Sequence, residues 1–192
     1  MKTKLTAALS GAALIVTMGS LAGCGDGNAK LKNWAKGVCD RASVQIKKIN
    51  AANTAITQVD SAGRSADVQK ADAAAFQQIS DAYKALGGIV GRAGNPPVEK
   101  GGAALRTESV NNLNQLSAAY ADLRKQVDAL DTKDQGKFAD GLQTVSDYLG
   151  KVSKSGERAL DTLRKGEVGQ AMAEQPGCRN GGGSSPSDTA SA

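Results

Sequence analysis

The sequence predicts an all-α protein, an up-down-up-down four-helix bundle with a short helical segment after the fourth helix. Three observations predict it. Apolar residues recur at spacings of three and four across residues 29–178, and no stretch shows the two-residue alternation of strands. The runs number four, each of roughly 25 to 30 residues and therefore about 40 Å long as a helix, and short breaks separate them, which favours antiparallel neighbours. The composition is 40% apolar but only 3% aromatic, so the core must be built mainly from Ala, Leu, Val and Ile.

The first run is Leu31, Trp34, Val38, Ala42, Ile46, Ile49, Asn53 and Ile56, and it breaks at Ser61 to Ser65, a loop containing Gly63. The second is Val68, Ala71, Ala75, Phe76, Ile79, Tyr83, Leu86 and Val90, ended by the glycine and proline cluster Gly91 to Pro97. The third is Val110, Leu113, Leu116, Tyr120, Leu123, Val127 and Leu130. Two starts compete for it: Asn95-Pro96-Pro97 is a good helix opening, whereas Gly101-Gly102 argues for a later one. Thr132 followed by Gln135 fits a capping box for the fourth, which continues through Phe138, Leu142, Val145, Leu149, Val152, Leu160 and Leu163. Arg164 and Lys165 complement the dipole at its end, and Gly166 suits a left-handed cap. Glu167 to Glu174 is long enough to fold back alongside. A helical-repeat solenoid is the competing architecture, but no repeat of 20 to 50 residues is evident.

The N-terminus carries a different signal. Lys2 and Lys4 precede an apolar stretch from Leu5 to Met18, which is shorter than the ~20 residues of a spanning helix and is diluted by Thr6, Ser10, Gly11 and Thr17. Leu21, Ala22, Gly23 and Cys24 follow, and they resemble the lipobox of bacterial lipoproteins. The resemblance implies cleavage before Cys24, a diacylglyceryl group on its thiol, and anchoring of the new N-terminus in the outer face of the cytoplasmic membrane. Small residues at Ala22 and Gly23 let the peptidase approach the backbone. An ordinary signal peptide with an incidental cysteine is the plainer alternative, and it would leave an unpaired thiol in a secreted protein. The expected organisation is a signal peptide over 1–23, a lipidated spacer over 24–28, a helical domain over 29–178 and a disordered tail over 179–192. The tail, RNGGGSSPSDTASA, has no Leu, Ile, Val or aromatic residue with which to offset its ordering entropy.

With Cys24 committed to lipid, Cys39 and Cys178 form an even pair in an oxidising compartment. Four antiparallel helices return the chain to the end where it began, which brings Cys178 back towards Cys39. The predicted disulfide would close a loop long enough to be worth about 4 to 5 kcal/mol in the loop-entropy model. Two free thiols forming a redox or metal site are the competing reading, though two cysteines without histidine supply too few ligands for zinc.

The chain contains no histidine. Ser-His-Asp and Cys-His sites and Glu-x-x-His metal ligation are therefore excluded. Asp128, Asp131 and Asp134 recur at threes, but a calcium loop counted from Asp131 would have Lys133 at its second ligand position and Leu142 in place of the closing Glu. Gly136-Lys137 lacks the first glycine of a phosphate loop, since Asp131 stands there. Removal of the leader would leave 22 basic against 19 acidic residues. Lys30, Lys32, Lys36 and Arg41 are interspersed with Asp26 and Asp40 and accompanied by no aromatic ladder, so nucleic acid is not an expected partner. Their place just after the anchor suits a modest attraction to anionic lipid or wall polymer, and a solvated face is the plainer reading. Trp34 reads as core packing before ligand stacking.

Asn53 on the first seam and Asn112 beside the third, with Gly141, Gly150 and Gly156 in the fourth helix, mark a possible polar cavity. The structural alternative is that a seam Asn fixes register and a helix Gly permits close approach. With the lipobox, Trp34, Val38-Cys39-Asp40, the long Ala-rich helices and the late Cys178, the chain resembles the small secreted lipoproteins of high-GC Gram-positive bacteria. That resemblance implies location and fold without an activity. The expected function is a non-enzymatic binding or structural module at the cell surface, requiring no cofactor or metal and contacting another surface protein or a wall polymer. The alternative is a small-ligand carrier or sensor with a cavity between helices.

Overall fold

A computed structural model describes residues 25–60 and 63–179. The described residues are helical throughout apart from their connections, in six helices: α1 (Gly25–Thr57), α2 (Ser65–Arg92), α3 (Gly102–Asp128), α4 (Gln135–Arg164), α5 (Gly166–Ala173) and α6 (Pro176–Arg179). Residues 1–24, which include the expected signal peptide and Cys24, residues 61 and 62 of the first loop, and residues 180–192 of the expected tail lie outside the described residues.

Four helix boundaries refine the sequence reading, each for a local reason. Helix α1 already includes Gly25–Asn28, the expected spacer, because a helix nucleated at Leu31 and beyond gains one backbone hydrogen bond for each residue added in front of it. Helix α3 takes the later start. Gly101 is left-handed at φ 80°, and Gly102 sits so close against the Pro96 carbonyl that a Cβ would collide with it, so Pro96 and Pro97 belong to the preceding turn. The cap of α4 is Asp134 in place of Thr132: its carboxylate accepts from the Lys137 backbone N–H at 3.1 Å. An ionised oxygen there also complements the helix dipole. Arg179, expected at the start of the tail, belongs to α6, with its Nη2 donating to the Glu174 carbonyl at 2.7 Å. Gly166 does adopt the left-handed conformation, φ 68°, between α4 and α5.

The most extensive packing is between α2 and α3; α1 lies on α2, α4 on α3, and α5 and α6 return to α1. The largest core cluster joins Ala52 of α1, Phe76 and Ile79 of α2, Leu116, Tyr120, Leu123 and Val127 of α3, and Val145 and Val152 of α4. Tyr120 stacks on Tyr83 at 5.6 Å between ring centroids, and Phe76 tilts against it at 6.2 Å. Two smaller clusters occupy the part of the molecule around Trp34. One holds Leu31 and Ala35 against Val168 and Ala171, the other Val38 against Ile89, Val90 and Leu113; Trp34 and Met172 touch both. Two expectations about the seams change. Ala71 is exposed, because the buried arc of α2 runs through Val68, Ala75, Ile79 and Ala82. Ile46, Ile49, Asn53 and Ile56 are only half-buried, since the later part of α1 packs chiefly on α2.

Candidate functional site

Helix α1 is described from Gly25, the residue after Cys24. Leu21, Ala22, Gly23 and Cys24 themselves are outside the described residues. Among the described residues no helix is long and apolar enough to cross a membrane.

The α5–α6 segment is strapped to α1. The sulfurs of Cys39 and Cys178 are bonded at 1.98 Å, with Cα atoms 5.1 Å apart, across 139 residues of sequence. Cys39 is completely buried. Its neighbour across the bridge explains Gly177, whose missing side chain would lie 2.5 Å from the Cys39 carbonyl oxygen and 3.2 Å from the Asp40 nitrogen. Only glycine lets α6 approach the α1 backbone closely enough for the bond. Val168 and Ala171 of α5 bury against Leu31 and Ala35, and Lys32 pairs with Glu174 at 3.0 Å on the exposed side. Sequence reading identified the cysteines by their parity; it passed over Gly177, for which the only local signal was a glycine immediately before a cysteine.

Side chains from neighbouring helices satisfy the helix ends. Trp34 Nε1 donates to the carbonyls of Ala93 and Gly94, at 3.2 and 3.3 Å, just past α2. Arg106, early in α3, donates from Nε and Nη2 to the Gly91 carbonyl at 3.1 and 2.7 Å. Reciprocally, Gln69, early in α2, directs Nε2 at the carbonyls of Val127 and Leu130, 2.9 and 3.0 Å away at the end of α3. These contacts reach carbonyls at or just past the helix C-termini, where the regular i+4 N–H partner is lost, and the Val127 carbonyl also accepts from the Leu130 N–H at 3.1 Å. The indole is half-buried and structural here, in agreement with packing as its first role.

The aspartates at the third connection are each engaged locally. Asp128 pairs with Arg124 at 3.2 Å, Asp131 accepts from the Lys133 N–H at 2.9 Å, and Asp134 caps α4. The Lys137 N–H and ammonium hold the Asp134 carboxyl below the usual carboxylate range. Among the described residues no group of three or more His, Cys, Asp or Glu side chains is arranged to hold a metal ion. Burial pushes the Tyr83 hydroxyl well above its ordinary range and raises that of Tyr120, so neither is poised to ionise. Burial also raises the Asp72 carboxyl, whose Oδ1 is enclosed without a hydrogen-bond partner.

Asn112 lines a groove of about 530 Å³ between α3 and α4, partly open to solvent. Asn53, on α1, is not among its lining residues, so the two amides singled out from the sequence do not share a site. The α3 wall is Glu108, Asn112, Gln115 and Ala119; the α4 wall is Tyr148, Lys151, Ser155, Arg158 and Thr162. Leu116 and Val152 form the floor, each 5% exposed. Two of the glycines in α4 serve close approach. A Cβ on Gly156 would lie 3.3 Å from Leu116 beneath this groove, and one on Gly141 would collide with Leu130, whereas Gly150 faces open space. Apart from Asn112 the wall residues were missed, because most of them, such as Glu108, Gln115, Lys151, Ser155 and Arg158, are ordinary exposed polar residues. Their signal on α3 was the repetition of polar side chains at i, i+4 and i+7, Glu108, Asn112 and Gln115, beside the apolar seam.

No known protein family, no curated protein and no solved structure matches this chain.

Proposed function

We propose that the protein is a lipid-anchored, extracytoplasmic helical module that works by non-enzymatic binding at the outer face of the bacterial cytoplasmic membrane. Its four long helices alternate in direction as a bundle, with α5 and α6 strapped to α1. The observation that carries this reading is the Cys39–Cys178 bond, a structural disulfide of the kind that persists in oxidising compartments, behind a leader ending in Leu21-Ala22-Gly23-Cys24. Lipid on Cys24 supplies the membrane attachment, because two buried acyl chains at ~0.8 kcal/mol per methylene suffice for stable anchoring. Alternation of the helices is supported by contacts joining the start of one helix to the end of the next, such as Trp34 to Ala93 and Gln69 to Val127. The second reading, a small-ligand carrier or sensor, is favoured by the groove on which Asn112 lies, whose volume falls in the ~300–1,000 Å³ of small-molecule sites.

The test is Cys24→Ala. The variant should appear in the medium or a soluble extracytoplasmic fraction, while the parent stays with membranes and shows the mass of an acylated N-terminal cysteine. A parent protein whose mature N-terminus lies elsewhere and bears no lipid would overturn the reading.

A further inference from the structure

We propose that the α3–α4 groove binds a strand of anionic polysaccharide, held by amides on one wall and cations on the other. The inference rests on the surface-module reading only for where such a strand would be met. Along α3, Glu108, Asn112, Gln115 and Ala119 fall at successive near-turn intervals, and Lys151, Ser155, Arg158 and Thr162 do the same along α4. Each row spans about 16 Å at 1.5 Å per residue, and the groove is partly open to solvent, a shape suited to a chain laid lengthwise.

The chemistry of the walls selects the class of chain. Asn112 and Gln115 each offer two donors and an acceptor, and Glu108 and Ser155 add acceptors, which matches the mixed donor and acceptor character of sugar hydroxyls. Tyr148, half-buried at one end, presents an aromatic surface to the C–H face of a sugar ring. Lys151 and Arg158 bring two positive charges against the single negative charge of Glu108, so a strand carrying carboxylates is favoured over a neutral one. No ion pair engages Lys151 among the described residues. A peptide partner fits less well. Peptide grooves take apolar anchors, and here Leu116 and Val152 are already covered, leaving no deep apolar socket.

Isothermal titration of the full-length chain in detergent, with oligogalacturonate as the probe, tests this directly. Neutral dextran and polyglutamate serve as comparisons, the first lacking the charge and the second the hydroxyls. Oligogalacturonate should bind at least about tenfold more tightly than either. The pair Asn112→Ala with Gln115→Ala should weaken it by about tenfold at an unchanged melting temperature, and Lys151→Gln with Arg158→Gln should flatten its salt dependence. Equal affinity for polyglutamate would reduce the site to bulk charge and overturn the proposal. Absence of oligogalacturonate binding, or full affinity in the amide variant, would overturn it as well. None of these results bears on membrane release of Cys24→Ala, so failure here is distinct from failure of the anchoring reading.

Discussion

The α2–α3 pair and helix α4 start from the same kind of sequence, long runs with apolar residues at threes and fours, but they are secured differently. Between α2 and α3 the packing is the most extensive in the molecule, and it is closed by Gln69 over the end of α3 and Arg106 over the end of α2. Ser80 adds a 2.8 Å hydrogen bond to the Ser117 carbonyl near the middle. Helix α4 rests chiefly on α3, carries four glycines, and is joined through α5 to the segment that packs on α1. Equal periodicity therefore does not mean equal stability. Lateral neighbours and satisfied helix ends decide which segment is the rigid frame and which is the accessible flank, and the groove lies on the flank.

The largest break in this comparison should come from the disulfide. Its loss in Cys39→Ser with Cys178→Ser removes a constraint spanning 139 residues, for which the chain-entropy model gives about 5 kcal/mol. Hydrogen exchange should show the loss unevenly. Amides of α5, α6 and the end of α4 should exchange fastest, while those of α2 and α3 keep most of their protection, since their own contacts are untouched. Uniform loss along all four long helices would show that the strap holds the whole assembly and that the frame is not independent of it.

Paired truncations sharpen the same contrast at intermediate size. Leu123 of α3 is completely buried in the main cluster, and Leu123→Ala should cost about 3 kcal/mol through lost transfer energy and an unfilled cavity. Leu142 of α4 is half-buried, so Leu142→Ala begins from a partly hydrated side chain and should cost about 1 kcal/mol. Urea titrations of the two variants measure the difference. Equal midpoint shifts would place α4 on the same footing as α3.

Much of this architecture was legible before the coordinates, and the reasons it was incomplete are physical. Helical periodicity reports which face of a helix seeks burial, so the seam positions of α3 from Leu113 to Val127 and the break at Gly166 were readable. Periodicity does not report how many neighbours a face obtains, which is why Ile46 to Ile56 were overrated as core. Cysteine parity and the even number of long helices pointed to the Cys39–Cys178 bond. Long-range caps were not legible, because Gln69 and Arg106 look like any exposed polar residue until the partner helix end is known. The groove was half-visible: Asn112 stood out beside the seam, but Lys151, Ser155 and Arg158 acquire meaning only when α3 and α4 are set side by side.

The smallest effect concerns two aspartates of opposite sign, one in each region. Asp134 at the start of α4 has its pKa depressed by hydrogen bonds from Lys137, so its stabilisation is present at neutral pH and is lost as pH falls through that lowered value. Asp72 in α2 has its pKa raised by burial, with Oδ1 enclosed and unpartnered. Its ionised form is penalised in the folded state, so its destabilisation is present at neutral pH and fades as pH falls through the raised value towards the ordinary one. Asp72→Asn keeps the shape and removes the charge. Because the group is only half-buried, solvent screens much of the penalty, and the melting temperature at pH 7 should rise by only about 1–2 °C. The gain should be smaller at pH 4, because falling pH favours the protonated form of the parent carboxyl. Thermal scans of parent and variant at both pH values separate the causes: a gain that persists unchanged at pH 4 would assign the effect to packing or helix propensity, and a loss at pH 7 would mean that the carboxylate is serving α2 through contacts that Asn cannot make.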